Sequence, residues 1–313
     1  MNKRDILLSV IDNNSNPPYI PAAFFIHFDP NFHHGTSAVN KHVDYFKYTN
    51  MDFVKIQFEL RFPQQPEIKD PEDWDKLNYY DIDFYQDQLF IVEELVRALK
   101  NDAHIIMTLY SPFMCAGQVV GKDQLSNHIK ENPDMVKKGL ETITDSLLSF
   151  TRGCIQRGID GFYHSTQGGE TSRFGNSKLF EDCIMPYDLY LMNEINNSCD
   201  LNILHVCDYH GSYSDYKKFR DYPGNIVSCN QVLNSSEMEI KEISKLFRRP
   251  YMGGLDRNGV IGTGGNIDLK NHINKILDHS PKDFILGANC TLPSDIKWVK
   301  IKNAIQYAHD FTY

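Results

Sequence analysis

What most constrains the fold of this chain is a regular alternation of strand and helix signals that runs from end to end. Apolar runs bounded by turn residues alternate with segments of helical period. The strand signals are YIPAAFFIHF, ending near Phe28, then DFVKIQFEL, HIIMTLYSP, IDGFYHST, NILHVCD, NIVSCN, YMGGLD and FILGANC. The helix signals between them include HVDYFKYT, DFYQDQLFIVEELVRALKN, a long one opening at Asn132-Pro133 and ending near Gly158, and SKLFEDCIMPYDLYLMNEINN, bent at Pro186. They continue through SEMEIKEISKLFR, DLKNHINKILDH and the terminal IKWVKIKNAIQYAHDF. Eight strand–helix units in 313 residues predict an α/β fold, a single (β/α)8 barrel spanning residues 1–313. A doubly wound open sheet is the alternative, but the usual dinucleotide glycine fingerprint is missing after the first strand.

Composition narrows the function. A net charge of −9 argues against nucleic acid as a partner. No apolar run approaches the length of a spanning helix, so no membrane span is expected. The opening MNKRDILLSVIDNN lacks a cleavage site, and Asp5 interrupts its apolar run. It reads as a short amphipathic helix of a cytoplasmic protein. The seven cysteines are scattered and odd in number, which argues for reduced thiols over a disulfide framework.

The chemistry concentrates at predicted strand ends. In NILHVCD, Leu204 and Val206 fall on one face, while Ile203, His205 and Cys207 fall on the other. An imidazole and a thiol on one face are ligands that zinc prefers. Cys290 ends the eighth strand, 83 positions after Cys207. A barrel gathers both strand ends at one mouth. Three ligands leave one coordination position open, as a catalytic zinc requires. Cys229, ending the sixth strand, is a candidate fourth ligand.

The second strand alternates Val54, Ile56, Phe58 and Leu60 against Lys55, Gln57, Glu59 and Arg61. Packing its apolar face under helices points the polar one into the barrel. Gln57 and Glu59 are therefore candidate catalytic residues, together with Asp208 directly after the metal motif. Lys55 paired with Glu59 is equally a structural polar layer. His27 at the end of strand one, His164 and Gln167 at the end of strand four, and Asp256 after strand seven are candidate substrate-binding residues. Arg257 beside Asp256 is either a structural pair or a substrate clamp.

The chain resembles the uroporphyrinogen decarboxylase-like superfamily over almost its full length. The resemblance is carried by KRDILLSVIDNNSNPPYIPAAF, HVDYFKYTNMDFVKIQ, SKLFEDCIMPYDLYLMNEI, the HVCD strand, YMGGLD and FILGANCTLP. It implies a (β/α)8 barrel. The decarboxylases carry an arginine-rich RQAGRY motif after strand one, where this chain reads FFIHFDPNFHHG. They also use an aspartate near the end of strand two, where Gln57 and Glu59 stand here. The chain looks more like the zinc-dependent methylcobamide:thiol methyltransferases, which include the coenzyme M methyltransferases. His205, Cys207 and Cys290 match their H-x-C and distant Cys motif. The cobalamin-independent methionine synthases are similar, with a glutamate near the spacing of Cys229.

That resemblance implies methyl transfer to a thiol acceptor, with Zn2+ as cofactor. The donor would be a corrinoid carried by a partner protein, or a small-molecule methyl donor. A uroporphyrinogen-type decarboxylase and a non-catalytic barrel binding a small molecule or corrinoid protein are the alternatives. Exposed barrel helices are compatible with a homodimer.

Overall fold

The computed structural model describes residues 2–12, 17–174 and 177–312. Seven strands among them form one all-parallel sheet in chain order. They are β1 (Phe53–Ile56), β2 (His104–Tyr110), β3 (Gly161–Thr166), β4 (Ile203–Val206), β5 (Ile226–Cys229), β6 (Tyr251–Leu255) and β7 (Ile285–Ala288). Their side chains are almost all buried. A parallel strand covered on both faces needs no polar alternation, which is why these runs are so apolar.

The expected first strand differs. The segment around Pro21–Ile26 joins β7 through an isolated bridge of Ala22 with Leu286, and the stretch just beyond β7 through one of Ile26 with Leu292. On its other side the Asp52 amide donates to the Ala22 carbonyl at 3.1 Å. Pro21 has no N–H to give a ladder, so this edge pairs through scattered bonds. The arrangement is thus seven parallel strands in a curled sheet, with this segment lying along β7.

Helices cover the outer face. Gln86–Leu99 precedes β2, and Pro112–Val120, Lys122–Glu131 and the long Pro133–Gln156 fill the connection to β3. Between β3 and β4 the expected bent helix is two helices, Leu179–Cys183 and Met185–Ser198, with Pro186 in the first turn of the second. Proline lacks the donor that a continuous helix would need there and suits a first turn. One expected unit has no α-helix: β4 connects to β5 through a loop with a single 3-10 turn, Lys217–Phe219. Its Gly, Ser, Asp and Pro content disfavours helix. Buried Tyr213, Tyr216, Phe219 and Tyr222 pack it instead, with ring centroids 5.2–5.7 Å apart. Helices Gly35–Thr49, Ile240–Phe247, Asn266–His279 and Trp298–His309 complete the outer layer.

The opening segment forms the short helix Lys3–Ile11, capped by Asn2. Arg4 anchors it with a two-pronged bond to Asp160 at 2.8 and 2.9 Å, just before β3. Burial works against ionisation of Asp160, but bonds from Arg4 and the Ile105 amide, with His104 3.7 Å away, hold its carboxyl well below the usual range. No helix among the described residues is long and apolar enough to cross a membrane.

Candidate metal centre

Strand register determines which side chains meet. His205 stands opposite Ser165 on β3 and Ser228 on β5. Paired residues in a parallel sheet share a face. Tyr163, Ser165, His205 and Ser228 therefore face inward, and so do Gln167 and Cys207, one residue past their strands. Lys55, Thr108 and Tyr163 continue this inner layer, linked by the pairs Lys55–Ile106 and Thr108–Tyr163.

The ligand atoms of His205, Cys207 and Cys290 lie within 4.8 Å of one another. His205 comes from β4, Cys207 from the residue after it, and Cys290 from two residues beyond β7. A tetrahedral zinc with bonds of about 2.3 Å needs its sulfurs roughly 3.8 Å apart, so the group fits such an ion. The His205 Nδ1 sits 3.2 Å from the Ser228 carbonyl. That acceptor makes Nδ1 the protonated nitrogen and leaves Nε2 free as ligand, a second contact that orients the ring. Tyr163 packs over the imidazole with centroids 5.1 Å apart.

The two thiols are electrostatically one group. A hydrogen bond from the Cys207 thiol holds Cys290 below the usual thiol range, and the same contact raises Cys207. His205 and Arg257 add to the stabilisation of the Cys290 thiolate. Gln167 donates from Nε2 to the Cys207 sulfur at 3.3 Å. The Cys207 amide bonds the Thr166 carbonyl at 3.0 Å, and Tyr213 donates to the Cys207 carbonyl at 3.0 Å. Both backbone partners fix where the sulfur points.

The remaining sequence candidates divide. Asp208 accepts from Asn230 at 2.6 Å and lies 3.9 Å from the Arg257 guanidinium, at the edge of the centre. Gln57 is buried and fully occupied: its Oε1 accepts from Lys55 at 2.9 Å and its Nε2 donates to the Ile26 carbonyl at 2.7 Å. β1 stops at Ile56, so Gln57 stitches the 21–26 segment to the sheet. Glu59 pairs with His27 at 2.8 Å on the rim, and His33 lies 3.8 Å away. Burial opposes ionisation of Glu59, yet the histidines keep its carboxyl below the usual range. Asp256 is exposed and accepts from the Asn258 amide at 3.0 Å, which makes it a turn residue.

Two candidates lie on the other face. His164 pairs with Leu204 and Cys229 with Val206, the side opposite His205. His164 is buried with no hydrogen-bond partner for either ring nitrogen, and burial pushes its pKa down to about 3. Neither it nor Cys229 joins the three ligands. The expected polar layer includes Lys55, but its partners are Gln57 and Thr108 rather than Glu59. Its ammonium lies between the rings of Phe25 and Tyr163, at 4.6 and 4.9 Å. Burial lowers its pKa to about 7 against the opposing pull of Cys290, Glu59 and Cys207. Sequence reasoning missed Tyr163 and the closeness of Arg257 to Cys290. Tyr163 was visible as a same-face neighbour of Ser165 and Gln167, whereas nothing in the sequence pointed Arg257 towards the thiols.

The family profile described as uroporphyrinogen decarboxylase (URO-D) matches residues 50–311. The chain belongs to the uroporphyrinogen decarboxylase family. Among curated protein sequences, none matches it. A methyltransferase from Methanosarcina mazei has the same fold at a TM-score of 0.77 and 11% identity, covering 98% of each chain. A B12-independent methionine synthase from Shewanella sp. W3-18-1 superposes at 0.56 and 12% identity, over 93% of this chain and 95% of its own. The mannanase man26 of Bacillus subtilis follows at 0.52 and 11% identity, over 98% of this chain and 90% of its own. At such identities these likenesses establish architecture, and family members of this fold carry their chemistry in the site.

Proposed function

We propose that this family member is a zinc-dependent methyltransferase that moves a methyl group to a thiol. The observation that carries the reading is the grouping of His205, Cys207 and Cys290 within 4.8 Å, with Nδ1 of His205 already taken by the Ser228 carbonyl. The names of the Methanosarcina and Shewanella neighbours, a methyltransferase and a methionine synthase, support it. In this reading the 21–26 segment serves as the eighth stave of a barrel whose mouth holds the site.

His205, Cys207 and Cys290 would hold the ion. When bound, zinc supplies the Lewis acidity that lowers the pKa of an incoming thiol. Gln167 steadies the Cys207 sulfur, and Tyr163 and Ser228 hold the imidazole in one tautomer and orientation. Buried Lys55 offsets negative charge gathered among the sulfurs. The acceptor sulfur forms a bond to the methyl carbon, and the electron pair of the broken methyl–donor bond leaves with the donor. A corrinoid protein or a small methyl donor would approach over the mouth, and the seven free cysteines suit a cytoplasmic setting, with a homodimer compatible.

The test is transfer from methylcobalamin to a panel of thiols. Zinc-loaded protein should form an S-methyl product, and Cys290→Ala should lose at least about 100-fold in rate, as for removal of a group essential to the nucleophile. Absence of any product, with release of carbon dioxide from uroporphyrinogen that is indifferent to zinc, would replace this reading with the decarboxylase one.

A further inference from the structure

A cavity of about 750 Å3 lies between the helices Pro112–Val120 and Lys122–Glu131 that follow β2 and the loops that follow β3 and β4. Lys122, Asp123, Lys130, Ser172, Arg173 and His210 are among the residues that line it. Its charge runs against the rest of the chain: three cations and one carboxylate line it, in a protein of net charge −9. Two of those cations, Lys122 and Lys130, have no carboxylate partner among the described residues. Lys122 donates to His210 Nδ1 at 2.9 Å. That imidazole is neutral, since burial and the charges of Lys122, Arg173 and Arg257 lower its pKa to about 4. Arg173 is paired with buried Glu170 at 3.5 Å, so its charge is shared with one carboxyl below the cavity.

Like charges held together destabilise one another unless an anion joins them. Aromatic rings keep these in place: Arg173 stands 5.3 Å from the Phe113 centroid and Lys130 6.0 Å from Phe174. The size is that of a small-molecule site. A guanidinium beside two ammonium groups is the donor set that recognises phosphate and carboxylate oxygens. His210 lines this cavity only three residues beyond Cys207, so the cavity adjoins the metal centre.

We propose that this cavity binds a small ligand carrying two or more phosphate or carboxylate groups, at a site distinct from the three metal ligands. The shared chemistry is a cluster of anionic oxygens, and two probes separate the sources. Calorimetry at low salt would be run on zinc-loaded full-length protein with pyrophosphate and with citrate. At least one should bind once per chain and weaken as salt rises. The double variant Lys122→Glu, Arg173→Ala should weaken it by at least about tenfold, the loss of charged hydrogen bonds. The single variant Lys130→Ala, milder for folding, should weaken it severalfold, with zinc content and circular dichroism unchanged in both. Binding of pyrophosphate alone assigns a phosphate ligand, of citrate alone a carboxylate ligand. The proposal is overturned if neither probe binds, or if both variants bind as the wild type does. Zinc content and thiol methylation are read separately, so failure here leaves the metal centre standing.

Discussion

Gln167 is the residue that most directly links the scaffold to the sulfur chemistry. Its amide is buried and reaches the Cys207 sulfur at 3.3 Å. Partners that orient a ligand tune metal affinity, though less than the ligands themselves. Gln167→Leu keeps the volume and removes the donor. We expect zinc affinity, measured by competition with a chelator, to fall roughly 10–100-fold while the fold persists. Affinity equal to wild type would show that the contact is incidental. At this scale the sequence was readable where alternation alone decides: His205 and Cys207 share a face because they are two apart. It was misleading for His164 and Cys229, because proximity to a strand end does not say which face a side chain takes. Only the pairing of His164 with Leu204 and of Cys229 with Val206 reveals the outward direction.

Elements dock through a few buried polar contacts. Helix Met185–Ser198 is tied to β3 by Asp188, which accepts hydrogen bonds from Thr166 and, at 3.3 Å, from Tyr222. Burial raises the Asp188 pKa from 3.8 to about 7, more than those bonds lower it. The folded protein therefore keeps a proton that the unfolded chain has released. This contribution to stability is fully present below pH 3.8 and is lost as pH rises to about 7. Asp188→Asn removes the titration but keeps a polar group. Its urea midpoint minus that of wild type should increase between pH 5 and pH 8, roughly the window in which the buried carboxyl ionises. A difference that stays flat with pH would contradict the shift. Element boundaries followed the apolar runs closely for β2 and β3. They failed in two places for local reasons. Pro21 denies the first segment a regular ladder, and the loop after β4 substitutes packed tyrosines for a helix.

For the whole molecule, the parallel order of β1 to β7 brings Cys290 to His205 and Cys207 across 83 positions of sequence. The architecture was legible because each strand–helix unit carries its own signal, and a parallel order places all strand ends on one side. The count of units was less so, since a unit can lose its helix or its ladder and still hold its place. The cationic cavity was invisible in the sequence, because Lys122 opens a helix after β2 while Arg173 and His210 come from the loops after β3 and β4. An ion that binds only the folded chain also stabilises it by mass action, so zinc should raise the thermal midpoint and a chelator should lower it. The most direct test of the account is the zinc content of purified protein supplied with the metal. Wild type should hold one zinc per chain, and Cys290→Ala and His205→Ala should hold none at the same free zinc concentration. Wild-type protein that binds no zinc, or a Cys290→Ala variant that binds it equally well, would contradict the metal centre and the chemistry built on it.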